Sequence, residues 1–269
     1  MKKIKNIYRL LLLLPLITVV SCDDAEDYND VLTKGTTTKE NTVFIVTDNL
    51  YETISLVGIG NEIEIFTGIN NAMSTDTNVE LLVMKNGSPA ELEKDYDVEN
   101  GLIKKGELEG KSIVTFLKSG SFDVSVKKAS ASSLIVVNNR LRHFVPENVT
   151  IRIDWEDSFY DYGLIIFDKM AELSDIYSNG VPEGIKLIGY SDGVSNSEIV
   201  NMSPPVGDSF VYIEDYWNDN ADIPVTFTLE EIGKPSKTID LIVEEDKWVV
   251  KITTEFDGVD KVTYAISKI

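Results

Sequence analysis

The sequence predicts an all-β protein: two antiparallel β-sandwich modules in series, behind an export segment and a flexible acidic tether. Three observations predict it. Apolar and polar residues alternate with a period of two, which places every second side chain on one face of a strand. Such runs recur every 10 to 20 residues with Gly, Asn and Pro between them, the spacing of sandwich strands and their turns. The 3.6-residue rhythm of an amphipathic helix is scarce.

Residues 1–21 stand outside that fold. Met1 to Arg9 is basic, and Leu10 to Val20 is a run of eleven uncharged residues. A helix needs about 20 apolar residues to span a bilayer, so this run is an export signal rather than an anchor. Small Ser21 precedes the chain's only cysteine, Cys22. An exported chain with one cysteine has no internal disulfide partner, and a free thiol is a liability in an oxidising compartment. Val19-Val20-Ser21-Cys22 resembles the lipobox of bacterial lipoproteins. The resemblance implies that residues 1–21 are a lipoprotein signal peptide, that Cys22 is acylated, and that cleavage leaves it at the new N-terminus. Each buried acyl CH2 contributes about 0.8 kcal/mol and stable anchoring takes two chains, which an acylated terminal cysteine supplies.

An acidic run follows at once: Asp23, Asp24, Glu26 and Asp27, with Asp30 beyond. It resembles the signal that sends Bacteroidota lipoproteins to the outer face of the outer membrane, and implies display to the cell exterior. Residues 22–41 hold almost no packing side chains, so they are expected to be a disordered tether. About 20 such residues span roughly 25 Å on average.

The strands follow in order. Val43–Val46 is short. Glu62–Phe66 alternates cleanly, with Ile63 and Ile65 on one face. Val79–Val83, Ser112–Phe116 and Phe122–Val126 complete the first group. Thr150–Ile153, Gly163–Phe167, Phe210–Ile213, Val225–Leu229, Ile239–Val243, Trp248–Ile252 and Val262–Ile266 form the second. Glu245-Asp246 is expected to join two of these as a tight hairpin. Small polar residues in Lys127 to Ser133 place the module boundary there, with one sandwich over 42–128, a linker over 129–133 and a second sandwich over 134–269.

Within residues 43–126, Gly87-Ser88-Pro89-Ala90 leads to Lys94-Asp95-Tyr96, and Gly106-Glu107 precedes the strand at Ser112. These turns resemble those of a Calx-β sandwich. Some members of that family bind calcium at one loop end, but none of their ligands is matched here. Asp161 to Asp168 and Gly207 to Ile213, closed by Val225 to Leu229, resemble a pre-peptidase C-terminal type β-sandwich, a module that assists binding.

Charge narrows the partners. The chain carries 25 basic and 45 acidic residues. Removing residues 1–21 takes away Lys2, Lys3, Lys5 and Arg9 and no acid, leaving a net charge of −24. Nucleic acid is excluded, because phosphate binding needs clustered Lys and Arg. The membrane is reached through the lipid on Cys22, and the remaining partners are a glycan or a surface protein.

Catalytic sets are missing. The single imidazole, His143, lies between predicted strands and reads as a surface or capping residue. Zinc ligand spacings and a Gly-rich phosphate loop are absent, and a Ser triad would have only His143 as base. Two acid-rich stretches, Asp154/Glu156/Asp157/Asp161 and Asp215/Asp219/Asp222 with Asn218 and Asn220, offer oxygen ligands of the type calcium takes. The second fails the EF-hand pattern, with Asn220 at its sixth position and Thr226 at its twelfth. No cofactor or metal ligand is assigned; a structural calcium is the one addition these clusters leave open. The same loop reads Tyr216-Trp217-Asn218, an aromatic pair beside an amide, which is the composition of a sugar platform. The alternative is that Trp217 packs inward, as Trp155 and Trp248 are expected to do.

The expectation is therefore a surface-anchored lipoprotein, not an enzyme, acting as a binding or structural module of a cell-surface assembly. The alternative is a glycan hydrolase using two carboxylates of the second module.

Overall fold

The computed structural model describes residues 40–47, 53–157, 159–171, 180–193, 195–216, 222–243 and 247–269. The signal peptide, Cys22, the sorting acids Asp23, Asp24, Glu26 and Asp27, and nearly all of the tether lie outside them.

Every described element is a strand. The first eleven are β1 (Asn41–Ile45), β2 (Ile54–Leu56), β3 (Glu62–Ile69), β4 (Thr77–Lys85), β5 (Ser88–Pro89), β6 (Tyr96–Glu99), β7 (Gly101–Ile103), β8 (Glu109–Phe116), β9 (Gly120–Ala129), β10 (Leu134–Val136) and β11 (Arg140–Val145). They form sheet I, in the order β10-β1-β3-β8-β6, and sheet II, in the order β2-β11-β9-β4-β5 with β7 also on β4. The period of two explains why they pack. Val79, Leu81 and Val83 of β4, Val114 and Phe116 of β8, and Phe122, Val124 and Val126 of β9 all turn into one core. Asn139 stands in as a strand partner where β10 has ended, exchanging both backbone hydrogen bonds of Ile45 through its side-chain amide.

The other nine are β12 (Val149–Trp155), β13 (Tyr162–Phe167), β14 (Leu187–Ser191), β15 (Ser197–Met202), β16 (Gly207–Asp215), β17 (Ile223–Glu230), β18 (Lys237–Val243), β19 (Lys247–Phe256) and β20 (Val262–Lys268). Sheet III runs β15-β12-β17-β18 and sheet IV runs β14-β13-β16-β19-β20. Between them lies a second core that includes Ile151, Ile153, Leu164, Ile213, Phe227 and Ile252. β13 is apolar throughout and buried on both faces. Its outward Ile165 and Phe167 are covered by Tyr212, Trp248 and Ile185, and Trp248 donates its indole N–H to the Ala171 carbonyl at 3.1 Å.

Three expectations change. Residues 129–133 do not separate the two cores. β9 runs through Lys127, Lys128 and Ala129, and both lysines pair with Glu80 of β4. β10 and β11 then complete sheets I and II, so the chain crosses between the cores at 146–148. The small polar composition misleads because Ala129 and Ala131 pack on the first core. Glu245-Asp246 lies outside the described residues, but the strands it joins are no hairpin: β18 pairs only with β17, while β19 pairs with β16 and β20. His143 is a buried strand residue, 7% exposed, facing Phe116 and Phe122 in the first core. One indole packs inward as expected and the other lies on the outward face of sheet IV. Trp155 is buried and donates to the Tyr160 carbonyl at 3.0 Å, and Trp248 is partly buried.

Candidate functional site

Strand registers bring one set of connections to one end of the second sandwich. Asp154 pairs with Ser197, Tyr162 with Asp215, and Ile223 with Val243. The C-terminal ends of β12, β14, β16 and β18 therefore lie at that end, beside the N-terminal ends of β13, β15, β17 and β19. Loops at a strand end are common carriers of function because the sheets fix their bases.

On the outward face of sheet IV, Tyr190 of β14 stands opposite Ile165, and Gly163 stands opposite Glu214. Gly163 is the local reason for the arrangement. A Cβ there would lie 2.8 Å from the Tyr216 hydroxyl and 3.3 Å from its ring, so only glycine lets that ring rest on the sheet. The Tyr216 backbone N–H donates to the Asp161 carbonyl at 3.1 Å, fixing the chain as it leaves β16.

The Tyr216 and Tyr190 hydroxyls are 3.3 Å apart, and Tyr190 donates to Asp192 Oδ2 at 2.8 Å. A phenol has one proton. Since that of Tyr190 serves Asp192, Tyr216 donates to Tyr190, and the three groups form a directed chain. Burial raises the Tyr216 pKa most, aided by its hydrogen bond to Tyr190 and the charges of Glu214 and Asp192. Tyr190 is also raised, chiefly by desolvation. Both phenols hold their protons at neutral pH. Asp161 is raised as well, by burial first and then by the like charge of Asp192.

The loop carrying Asp192 is held from below. Glu198 is only 2% exposed and accepts hydrogen bonds from Ser191 Oγ and the Gly193 N–H. Tyr190 presents about half of its surface to solvent, at 48%. At the same end Phe159 is 68% exposed and stands edge-on to Tyr160, which stacks on Tyr162, itself edge-on to Trp155. Two exposed rings therefore stand at this end, Phe159 and Tyr190, and the hydroxyl of Tyr190 is bound to an acid.

Of the predicted platform, Tyr216 is present but half-buried against Gly163; Trp217 and Asn218 lie outside the described residues. The exposed ring is Tyr190, which sequence reasoning missed. Its signal was Tyr190-Ser191-Asp192-Gly193, a turn composition, together with a lone glycine inside the strand at 163. Among the acids weighed for calcium, Asp154 pairs with Arg152, and Asp157 accepts from the Phe159 N–H. Among the described residues no group of three or more His, Cys, Asp or Glu side chains is arranged to hold a metal ion. The first sandwich keeps the turns that resembled a Calx-β module. Asp95 accepts from the Glu91 N–H and pairs with Lys85, both of which lower its pKa, and Gly106 takes a positive φ of 83°.

No protein-family model matches the chain, and no curated protein matches it. Among solved structures, the chain is similar to a two-domain protein of unknown function from Bacteroides fragilis. That match has 12% identity and a TM-score of 0.33, covering 67% of this chain and 89% of the other. It is also similar to CBD12 from CALX1.2, at 12% identity and a TM-score of 0.28, covering 64% of this chain and 79% of the other. Likeness at this level fixes no function.

Proposed function

We propose that the chain is a non-catalytic binding module, anchored in the outer membrane through a lipid on Cys22 and displayed to the exterior. It engages a glycan or a surface protein through the outward face of sheet IV. One observation carries this reading: Tyr190 is half-exposed, yet its hydroxyl is already committed to Asp192 and Tyr216. An exposed ring fixed before binding loses little conformational freedom on contact, and aromatic rings with polar edges serve both sugar faces and protein surfaces.

Tyr190→Ala tests it. The exposed ring contributes little to the core, so the melting temperature should stay within about 2 °C, the scale of a surface substitution. Binding on a glycan array or to surface extract should fall at least tenfold. Unchanged binding by this variant overturns the assignment of the site.

Asp161 favours a second reading, the hydrolase. Glycosidases use a carboxyl of raised pKa, and burial, then the charge of Asp192, raises that of Asp161. Reducing-end release from a bound glycan, abolished in Asp161→Asn, would favour the enzyme. Binding without release favours the module.

A further inference from the structure

We infer that the cleft between the two sandwiches is a second binding site, and that its ligand is a neutral saccharide. The cleft has a volume of about 690 Å³, within the roughly 300–1,000 Å³ range of small-ligand sites, and such sites favour the junctions between packed units. Its floor is built from both halves. Leu56 of sheet II and Phe256 of β19 both line it and pack against the second core, and Phe256 stacks on Phe144, which is not a lining residue, with the rings 5.9 Å apart and nearly parallel, at 2°.

Three of the polar lining groups are asparagine amides, beside Ser203 and the pair Glu62 and Lys186. Asn61 comes from the first sandwich, Asn148 from the crossing segment and Asn201 from the second sandwich. Asn148 Oδ1 accepts from Ser203 at 3.1 Å and Asn201 Oδ1 accepts from Thr150 at 2.8 Å. Each bond fixes an amide plane and leaves the NH2 group as a donor for something else. Gly58 shapes the third: a Cβ there would lie 2.8 Å from Asn61 Nδ2, so the amide folds against bare backbone. Amides that donate and accept without charge match hydroxyl groups, which do both. Met202, Phe256 and Pro205 supply apolar faces of the type that C–H surfaces of a sugar ring cover.

Charge excludes the other classes. The chain has a formal net charge of −20, yet this cleft is lined by one acid, Glu62, and one base, Lys186. A balanced pair gives no net attraction for a cation or for a phosphate. The ligand that fits is uncharged, hydroxyl-rich and apolar on its ring faces. Because its donors come from both sandwiches, bound ligand also ties them together.

The test is titration calorimetry and thermal shift with the full mature chain against malto-, cello-, xylo- and manno-hexaose. At least one should bind and raise the melting temperature, as any ligand of the native state does. Asn61→Ala and Asn201→Ala alter exposed side chains and should each weaken binding at least tenfold without lowering the melting temperature of the free protein. Tyr190→Ala should leave this affinity unchanged, which separates the cleft from the face of sheet IV. The inference is overturned if no hexaose binds at millimolar concentration, if binding ignores both asparagine variants, or if the cleft takes only a charged peptide.

Discussion

Mild acid should destabilise the first sandwich through one residue, His143. The ring packs against Phe116 at 5.6 Å and stands opposite Phe122 across the strand pair, 7% exposed, with no hydrogen-bond partner for either nitrogen among the described residues. Burial lowers its pKa from 6.5 to about 4, and the charge of Asp123 offsets only part of this. Asp123 is itself engaged by Arg140 at 3.1 Å and Arg142 at 3.4 Å. The native state therefore refuses a proton that the unfolded chain accepts. The stability is fully present above pH 6.5 and is lost as pH falls toward 4, where the native form also protonates. The limiting loss is about 3 kcal/mol, and by pH 5 it is already about 2 kcal/mol. For a sandwich of about 100 residues, a loss of ~2 kcal/mol lowers the melting temperature by roughly 8–16 °C. Denaturant melts at pH 7.5, 6.5, 5.5 and 5.0 would measure it, against His143→Phe and His143→Leu. Neither variant can titrate, so their profiles should be nearly flat across this window. Parallel profiles for wild type and variants, or an imidazole titrating near 6.5 by NMR, would refute the argument.

The remaining predictions concern the site, the boundary and the anchor. Gly163→Ala should push Tyr216 off the sheet, costing about 1–3 kcal/mol as overpacking does. It should also bring the phenol pKa down toward its ordinary value, seen by ultraviolet titration. Trypsin should not cut after Lys127 or Lys128 in the native protein, because both lie in β9 and pair with Glu80, whereas the denatured chain should be cut there. Cys22→Ala should release the protein from membranes; retention through a carbonate wash would sink the lipid anchor.

The twelve alternating runs fall within strands, Val46 alone lying one residue beyond β1. Most were legible because they bury one face against one core, and a period of two then appears directly in the sequence; β13, buried on both faces, was legible as a short apolar run. Eight other strands were not, and the reasons are physical. β11 reads as Arg-Leu-Arg-His-Phe-Val. Its outward positions carry arginines paired with Asp123, its inward face holds an imidazole, and Phe144 turns toward the second sandwich. β15 reads as Ser-Glu-Ile-Val-Asn-Met. Glu198 occupies an inward position because it ties the β14–β15 loop, while the apolar Ile199 faces out at 46% exposure. β14 carries Gly189, where a Cβ would crowd Met202 Sδ at 2.9 Å, and then Tyr190 facing solvent.

Those pattern-breaking strands are the ones that carry the candidate features. Tyr190 sits on β14, the tie for Asp192 on β15, and the joint between the sandwiches on β11. A side chain chosen for packing leaves a periodic trace, because its neighbours two residues away face the same core. A side chain chosen to meet a ligand, or to hold a loop ready for one, answers to groups distant in sequence and leaves none. Tyr216 shows the limit from the other side. Its composition pointed to the right loop end, but its role as a donor resting on Gly163 depends on two hydroxyls meeting across 26 residues. The exposed ring it supports could be found only once sheet IV had brought β14, β13 and β16 side by side.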